Sequence, residues 1–126
     1  MSDSHAIDYT EVEQVEDLMT EDGGAAIIDF WSPTCGPCRT MHPIFEELAE
    51  RYADAPIEFV RINTATSPEL AAPFNVRSVP TFILVNRGEI QDVIVGRMPP
   101  QKLEKSVQWL MRKAEGKGLI ARLFGR

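Results

Sequence analysis

The only two cysteines of the 126-residue chain, Cys35 and Cys38, stand three residues apart in the stretch Trp31-Ser-Pro-Thr-Cys-Gly-Pro-Cys-Arg39. Two thiols one helical turn apart can close into a disulfide and reopen, so the chemistry this spacing suits is thiol–disulfide exchange. Cys35 comes where an apolar strand gives way to a helical pattern. Unpaired backbone N–H groups and the positive end of the helix dipole favour a thiolate there. Such a position lowers a cysteine pKa from about 8.5 towards roughly 7 or below, which makes Cys35 the expected nucleophile. Cys38, one turn on, is the expected resolving thiol: it attacks the mixed disulfide formed by Cys35 and releases the reduced substrate. Gly36 is expected to permit a tight entry into the helix, and Pro37 to preset φ in the first turn, where no N–H is missed.

Two further side chains are candidates for moving the proton that Cys38 must lose. Asp29 lies six residues before Cys35, inside the apolar run Ala25–Trp31. Burial would raise the pKa of a carboxylate there, and a buried carboxyl beside a thiol can act as general base and acid; the competing reading is a strand-end Asp that caps nearby backbone. His42 follows Cys38 by four residues on the same helical pattern and could supplement Asp29, against the plainer reading of a solvated or packing histidine beside Pro43. The two cysteines with His42 offer three metal ligands, one short of the usual structural zinc set, so no metal site is expected.

The elements that must hold these residues follow from the hydrophobic pattern. Ala25–Trp31 reads as a strand buried on both faces, and therefore sandwiched between helices. Met41, Ile44, Phe45, Leu48 and Tyr52 mark a helix by their spacings of three and four, with Pro43 inside it. Ile57–Ile62 reads as a second strand, Ser67–Phe74 as a short helix with Pro68 in its first turn, and Thr81–Val85 as a third strand. Asn86-Arg87-Gly88 is turn chemistry that folds Glu89–Val95 back as a hairpin. Pro99 and Pro100 open a last helix striped by Leu103, Val107, Leu110 and Met111, which Gly116 and Gly118 are expected to end. The expected class is α/β, a central mixed sheet sandwiched by helices.

Composition bounds the rest. The length suits one domain with a real core. Apolar content of 44%, charged content of 25% and a formal charge of −6 describe a globular protein and argue against a nucleic-acid partner. Residues 1–16 carry five acidic side chains and no Lys or Arg, unlike a secretory signal, so a cytoplasmic location is expected.

At this point the residues resemble a family. Asp29-Phe30-Trp31, then Cys35-Gly36-Pro37-Cys38 with Pro43 five residues beyond, then Val79-Pro80-Thr81 ahead of a strand, and later Gly96, look like thioredoxin over about residues 6–113. The resemblance implies the thioredoxin fold and a cis Val79–Pro80 bond facing the cysteine pair. It also implies substrate contacts at Trp31, Gly36, Pro37, Val79, Pro80 and Gly96, with an extended substrate segment pairing with backbone beside Pro80. It implies a protein-disulfide reductase of electron transport and cell redox homeostasis, monomeric, with no bound cofactor beyond the redox-active disulfide, receiving electrons from thioredoxin reductase and passing them to oxidised proteins. Three positions depart from the pattern. Thr34 stands where a second tryptophan is usual, and Ala65 replaces an acidic residue. Arg61 stands where a lysine usually neighbours the buried Asp; it cannot exchange a proton as Lys can, but could still hold Asp29 ionised.

Residues 1–113 are thus expected to form the thioredoxin-like domain and residues 114–126 a basic amphipathic extension. In that extension Leu119, Ile120, Leu123 and Phe124 share a helical face with Lys117, Arg122 and Arg126 nearby, suited to an acidic partner, an anionic membrane surface or the chain's own domain. The alternative to a reductase is a thioredoxin-fold binding or redox-sensing module acting through the Pro80 groove or this extension.

Overall fold

A computed structural model describes residues 5–123, with side chains described for residues 5–116. In chain order the elements are β1 (Ala6–Asp8), α1 (Val12–Leu18), β2 (Ala25–Trp31), α2 (Gly36–Arg51), β3 (Ile57–Asn63), α3 (Pro68–Ala71) continued by a 3₁₀ turn (Ala72–Phe74), β4 (Thr81–Asn86), β5 (Glu89–Val95) and α4 (Pro100–Leu123). The strands lie in the order β1-β3-β2-β4-β5. β1, β3 and β2 are parallel, β4 runs antiparallel to β2, and β5 runs antiparallel to β4 and so in the direction of the first three.

β2 is the middle strand, and its residues through Phe30 are buried because both faces of the sheet are covered. The two-residue period sends Ala25 and Ile27 into a core shared with Met41, Phe45 and Leu48 of α2 and Leu103, Val107 and Leu110 of α4. Ala26, Ile28 and Phe30 point the other way, into a second core with Val15 and Leu18 of α1 and Leu70 and Phe74 beyond β3. This is the expected sandwich. The crossover through α2 joins parallel β2 and β3, and puts the N-terminus of α2 at the end of β2 where Trp31 stands.

The hairpin between β4 and β5 turns on Arg87 (φ 55°) and Gly88 (φ 80°), the left-handed pair that a two-residue turn needs. A Cβ at Gly88 would also meet the Met19 carbonyl oxygen at 2.8 Å, so glycine is required there twice over. Pro73 splits the expected Ser67–Phe74 helix into an α-turn and a 3₁₀ turn.

Two short elements near the N-terminus, β1 and α1, add an edge strand beside β3 and a helix over the second core. α4 departs from expectation: it passes through Gly116 and Gly118 and runs to Leu123. A glycine inside a helix costs about 1 kcal/mol relative to alanine, which weakens a helix without ending it. From Lys117 onward the side chains lie outside the described residues, and with them the amphipathic face expected of residues 119–124. Among the described residues no helix is long and apolar enough to cross a membrane.

Candidate active site

Cys35 is the N-cap of α2, in extended conformation (φ −94°, ψ 111°). Its Sγ accepts a hydrogen bond from the Cys38 N–H at 3.1 Å, the contact through which a helix start stabilises a thiolate. Cys35 and Cys38 are joined as a disulfide, so the structure is that of the oxidised form. Cys35 is partly exposed whereas Cys38 is 5% exposed, which leaves Cys35 as the sulfur a partner can reach. Gly36 differs from expectation: its φ is not in the left-handed region and a Cβ there would meet nothing within 4 Å. What glycine leaves at this position is open space over the helix start. Pro37 sits in the first turn as expected.

β4 runs antiparallel to β2 with Thr81 opposite Phe30, so Pro80 enters beside Trp31, where β2 hands over to the Cys35 loop. The Val79–Pro80 bond is cis. The Val79 carbonyl oxygen lies 3.5 Å from the Cys35 Sγ; in the disulfide that sulfur has no proton to donate, so the two are in contact rather than hydrogen-bonded. On the other side of Pro80 the Gly96 N–H donates to the Pro80 carbonyl at 2.8 Å, and Gly96 holds φ at +94°, which few other residues adopt. The Trp31 carbonyl is fixed by the Thr64 N–H at 2.8 Å and by the Thr64 hydroxyl at 3.2 Å.

Asp29 faces α2, on the same side of β2 as Ala25 and Ile27, and is 2% exposed. Its register partner on β3 is Arg61. Burial is the largest influence on this carboxyl and pushes its pKa up from 3.8 to about 7, against the lowering effect of Arg61 and with a smaller upward push from Glu46. Arg61 therefore does not hold Asp29 fully ionised at neutral pH, and the geometry shows why. Its Nε lies 3.6 Å from Asp29 Oδ2, its Nη1 lies 3.9 Å from Asp8, and its guanidinium carbon sits 4.5 Å from the centre of the Trp31 ring. The cation is shared among three neighbours, and Asp29 Oδ1 and Arg61 Nε have no hydrogen-bond partner among the described residues.

Two clefts flank the disulfide. One, of about 290 Å³, brings together Trp31, Cys38, Arg39, His42 and Arg61 with the Ser32-Pro33 backbone. His42 therefore lines the same cavity as Cys38. The other, of about 300 Å³, runs beside Val79 between Thr64, Ala72, Val76 and Arg77. Arg39, which donates to the Pro33 carbonyl at 3.1 Å, and Arg77 were not among the residues singled out in the sequence. The position of Arg39 next to Cys38 on the helix was the available signal for the first; Arg77 carried none. Among the described residues no group of three or more His, Cys, Asp or Glu side chains could hold a metal ion.

The thioredoxin family model matches residues 7–109. A protein of Arabidopsis thaliana named "Thioredoxin M4, chloroplastic" is 44% identical over 82 residues, covering 65% of this chain and 42% of that protein. A "Thioredoxin" of Pyropia yezoensis is 40% identical over 81 residues, covering 64% of this chain and 75% of its own length. The expected cytoplasmic location draws no support from relatives whose names place them in the chloroplast. Among solved structures, the oxidised form of mitochondrial thioredoxin 3 from Saccharomyces cerevisiae superposes with a TM-score of 0.73 at 30% identity, over 83% of this chain and 95% of that one. Thioredoxin from Malassezia sympodialis superposes with a TM-score of 0.78 over 88% of this chain and 95% of that one; at 24% identity it bears on the fold alone. With the cis-proline, the capped cysteine and the mixed sheet in place, the chain belongs to the thioredoxin family of thiol–disulfide oxidoreductases.

Proposed function

We propose that the chain is a protein-disulfide reductase working by dithiol–disulfide exchange between Cys35 and Cys38. The observation that carries this reading is the asymmetry of the pair: a reachable Cys35 sulfur at a helix N-cap that accepts the Cys38 N–H, and a buried Cys38 one turn behind it. In the reduced protein the Cys35 thiolate attacks a substrate disulfide, and the displaced sulfur leaves with the electron pair of the broken bond and takes a proton. Cys38 gives its proton to the Asp29 carboxylate and attacks the Cys35 sulfur of the mixed disulfide. The substrate departs as a dithiol and the protein is left with the disulfide of the present structure.

A carboxyl with a pKa of about 7 suits this exchange, because it can accept and return a proton near neutral pH. Trp31, Pro80, Val79 and Gly96 shape the surface on which the substrate lies, and Gly36 and Pro37 keep its floor low. The half-buried backbone at Val79 offers an edge for an extended segment. Two electrons return from a thioredoxin reductase or a ferredoxin–thioredoxin reductase, the donors general to the family. His42 and Arg61 line the Cys38 cleft, where His42 supplements Asp29 in proton transfer and Arg61 tempers its charge. Residues 1–113 supply this activity, and residues 114–126 are an extension of the domain.

The test is the reduction potential of the Cys35–Cys38 pair in equilibrium with a dithiol buffer. A value near about −270 mV supports the reductase; a value above about −200 mV replaces it with an oxidant or redox-sensing module. Cys38→Ser should accumulate a mixed disulfide with a disulfide substrate through Cys35, and Cys35→Ser should accumulate none. A trapped adduct on Cys38 would overturn the assignment of roles.

A further inference from the structure

The chain carries 19 acidic residues against 13 lysines and arginines, yet acidity is missing where the disulfide sits. That end of the sheet is built from residues 31–42, 63–68, 75–81 and 95–100. They are joined by the bonds from Thr64 to Trp31 and from Gly96 to Pro80, and by the contact of Cys35 with Val79. These segments contain no aspartate or glutamate, and they contain Arg39, His42, Arg77 and Arg97. All four side chains are exposed, and among the described residues none of the three arginines forms an ion pair.

The three arginines surround the redox pair rather than lying to one side. Arg77 lines the cleft beside Val79, Arg39 and His42 line the cleft beside Cys38, and Arg97 follows the glycine bonded to Pro80. Of the carboxylates bordering this end, Asp29 and Asp8 lie against Arg61, Glu46 stands one helical turn beyond His42 and acts on the buried Asp29, and Glu69 lines a separate pocket on the α1 side. A molecule of charge −6 with a positive redox face is strongly polarised. Such a field orients an approaching charged partner and raises its encounter rate.

We propose that this face selects disulfides carried in acidic segments: an extended chain laid along Val79, with aspartates or glutamates flanking its cysteine and meeting the arginines around Cys35. The inference rests on the reductase reading and specifies its substrate class. Two electrons pass to the peptide disulfide, which ends as two thiols while the Cys35–Cys38 bond closes, so a single turnover of pre-reduced protein needs no further reductant.

The experiment mixes the reduced full chain with three disulfide-closed synthetic peptides that differ only in flanking residues, Glu, Lys or Ser, and follows thiol release at low and high salt. The Glu peptide should react faster than the Lys peptide by about tenfold or more at low salt, with the gap shrinking as salt screens it. The double variant Arg77→Glu, Arg97→Glu should reverse the order. Equal rates for the Glu and Lys peptides, a preference that salt does not weaken, or a preference kept by the double variant overturns the proposal while turnover of the Ser peptide leaves the reductase standing. If the wild-type protein reduces none of the three, the reductase reading falls and this inference with it. Should the double variant fail to fold, the salt dependence of the wild-type preference still decides.

Discussion

Replacing Asp29 by asparagine should make the oxidised protein markedly more stable than the wild type above neutral pH and leave it nearly unchanged in acid. The carboxyl is 2% exposed and its pKa is raised from 3.8 to about 7 by burial. Between those two values the folded protein holds a proton that the unfolded chain has released. Unfolding therefore releases a proton, and stability falls as pH rises. The favourable contribution of the protonated carboxyl is complete below about pH 4 and is lost as pH climbs through about 7, beyond which the curve levels. A difference of roughly three pKa units at about 1.4 kcal/mol each is about 4 kcal/mol. Asparagine has no proton to lose and escapes this penalty. With a urea dependence of roughly 2 kcal/mol per molar, the unfolding midpoint of Asp29→Asn should exceed that of wild type by about 2 M at pH 8 and coincide with it near pH 4. Urea titrations of both proteins across that range measure the gap directly. Two curves that stay parallel from pH 4 to 8 would refute the reasoning, because the carboxyl would then feel the same environment folded and unfolded.

The remaining tests separate packing from proton chemistry. Phe45 is fully buried on α2, with ring centres 5.5 Å from Phe59 and 6.0 Å from Phe82. Phe45→Ala should cost roughly 3–5 kcal/mol in urea unfolding, equally at pH 5 and pH 8, and a loss under about 1 kcal/mol would show that the core beneath the redox pair is not close-packed. His42→Ala should change the pH profile of the step in which Cys38 releases substrate, followed by stopped-flow thiol detection, while an unchanged profile would leave Asp29 as the only proton acceptor for Cys38.

Much of this was legible in the sequence because the strongest signals are local. β2 showed itself by a continuous apolar run, and α2 by the spacing of Met41, Phe45 and Leu48. The β4–β5 hairpin showed itself by Asn86-Arg87-Gly88, whose glycine takes the left-handed backbone the turn uses. The elements that escaped are those whose signal is short. β1 is three residues held by register with β3, and α1 is seven residues with only Val15 and Leu18 buried. The helix break read at Gly116 was a propensity argument, and propensity loses to a helix already propagating from a packed stripe. In the site, the two cysteines, Asp29 and Pro80 could be placed from spacing and resemblance. The strength of Arg61 could not. Its effect depends on a 3.6 Å separation from Asp29 and on competition from Asp8 and the Trp31 ring, which no sequence pattern encodes.

α2 links the chemistry to the core. The same helix that presents Cys35 at its N-cap carries Met41, Phe45, Leu48 and Ala49 into the main core, at 3% exposure or less. The sulfur positions are therefore set by the packing of side chains two and three turns further on, and the redox pair needs little local structure of its own. That arrangement lets the site carry an unfavourable group. Asp29 sits 2% exposed on the central strand of the sheet, and its ionisation above neutral pH weakens the fold by an amount close to what the burial of one large aromatic side chain contributes. A carboxyl placed at the rim would cost less, but it would keep its ordinary pKa and be fully ionised at neutral pH, a poor proton store for a buried thiol. The positive face around Cys35 meets the opposite requirement: its arginines stay in water, where charge costs little, and act on partners before they touch. The buried carboxyl governs the internal proton, the exposed cations govern the encounter, and the disulfide lies at the boundary between them.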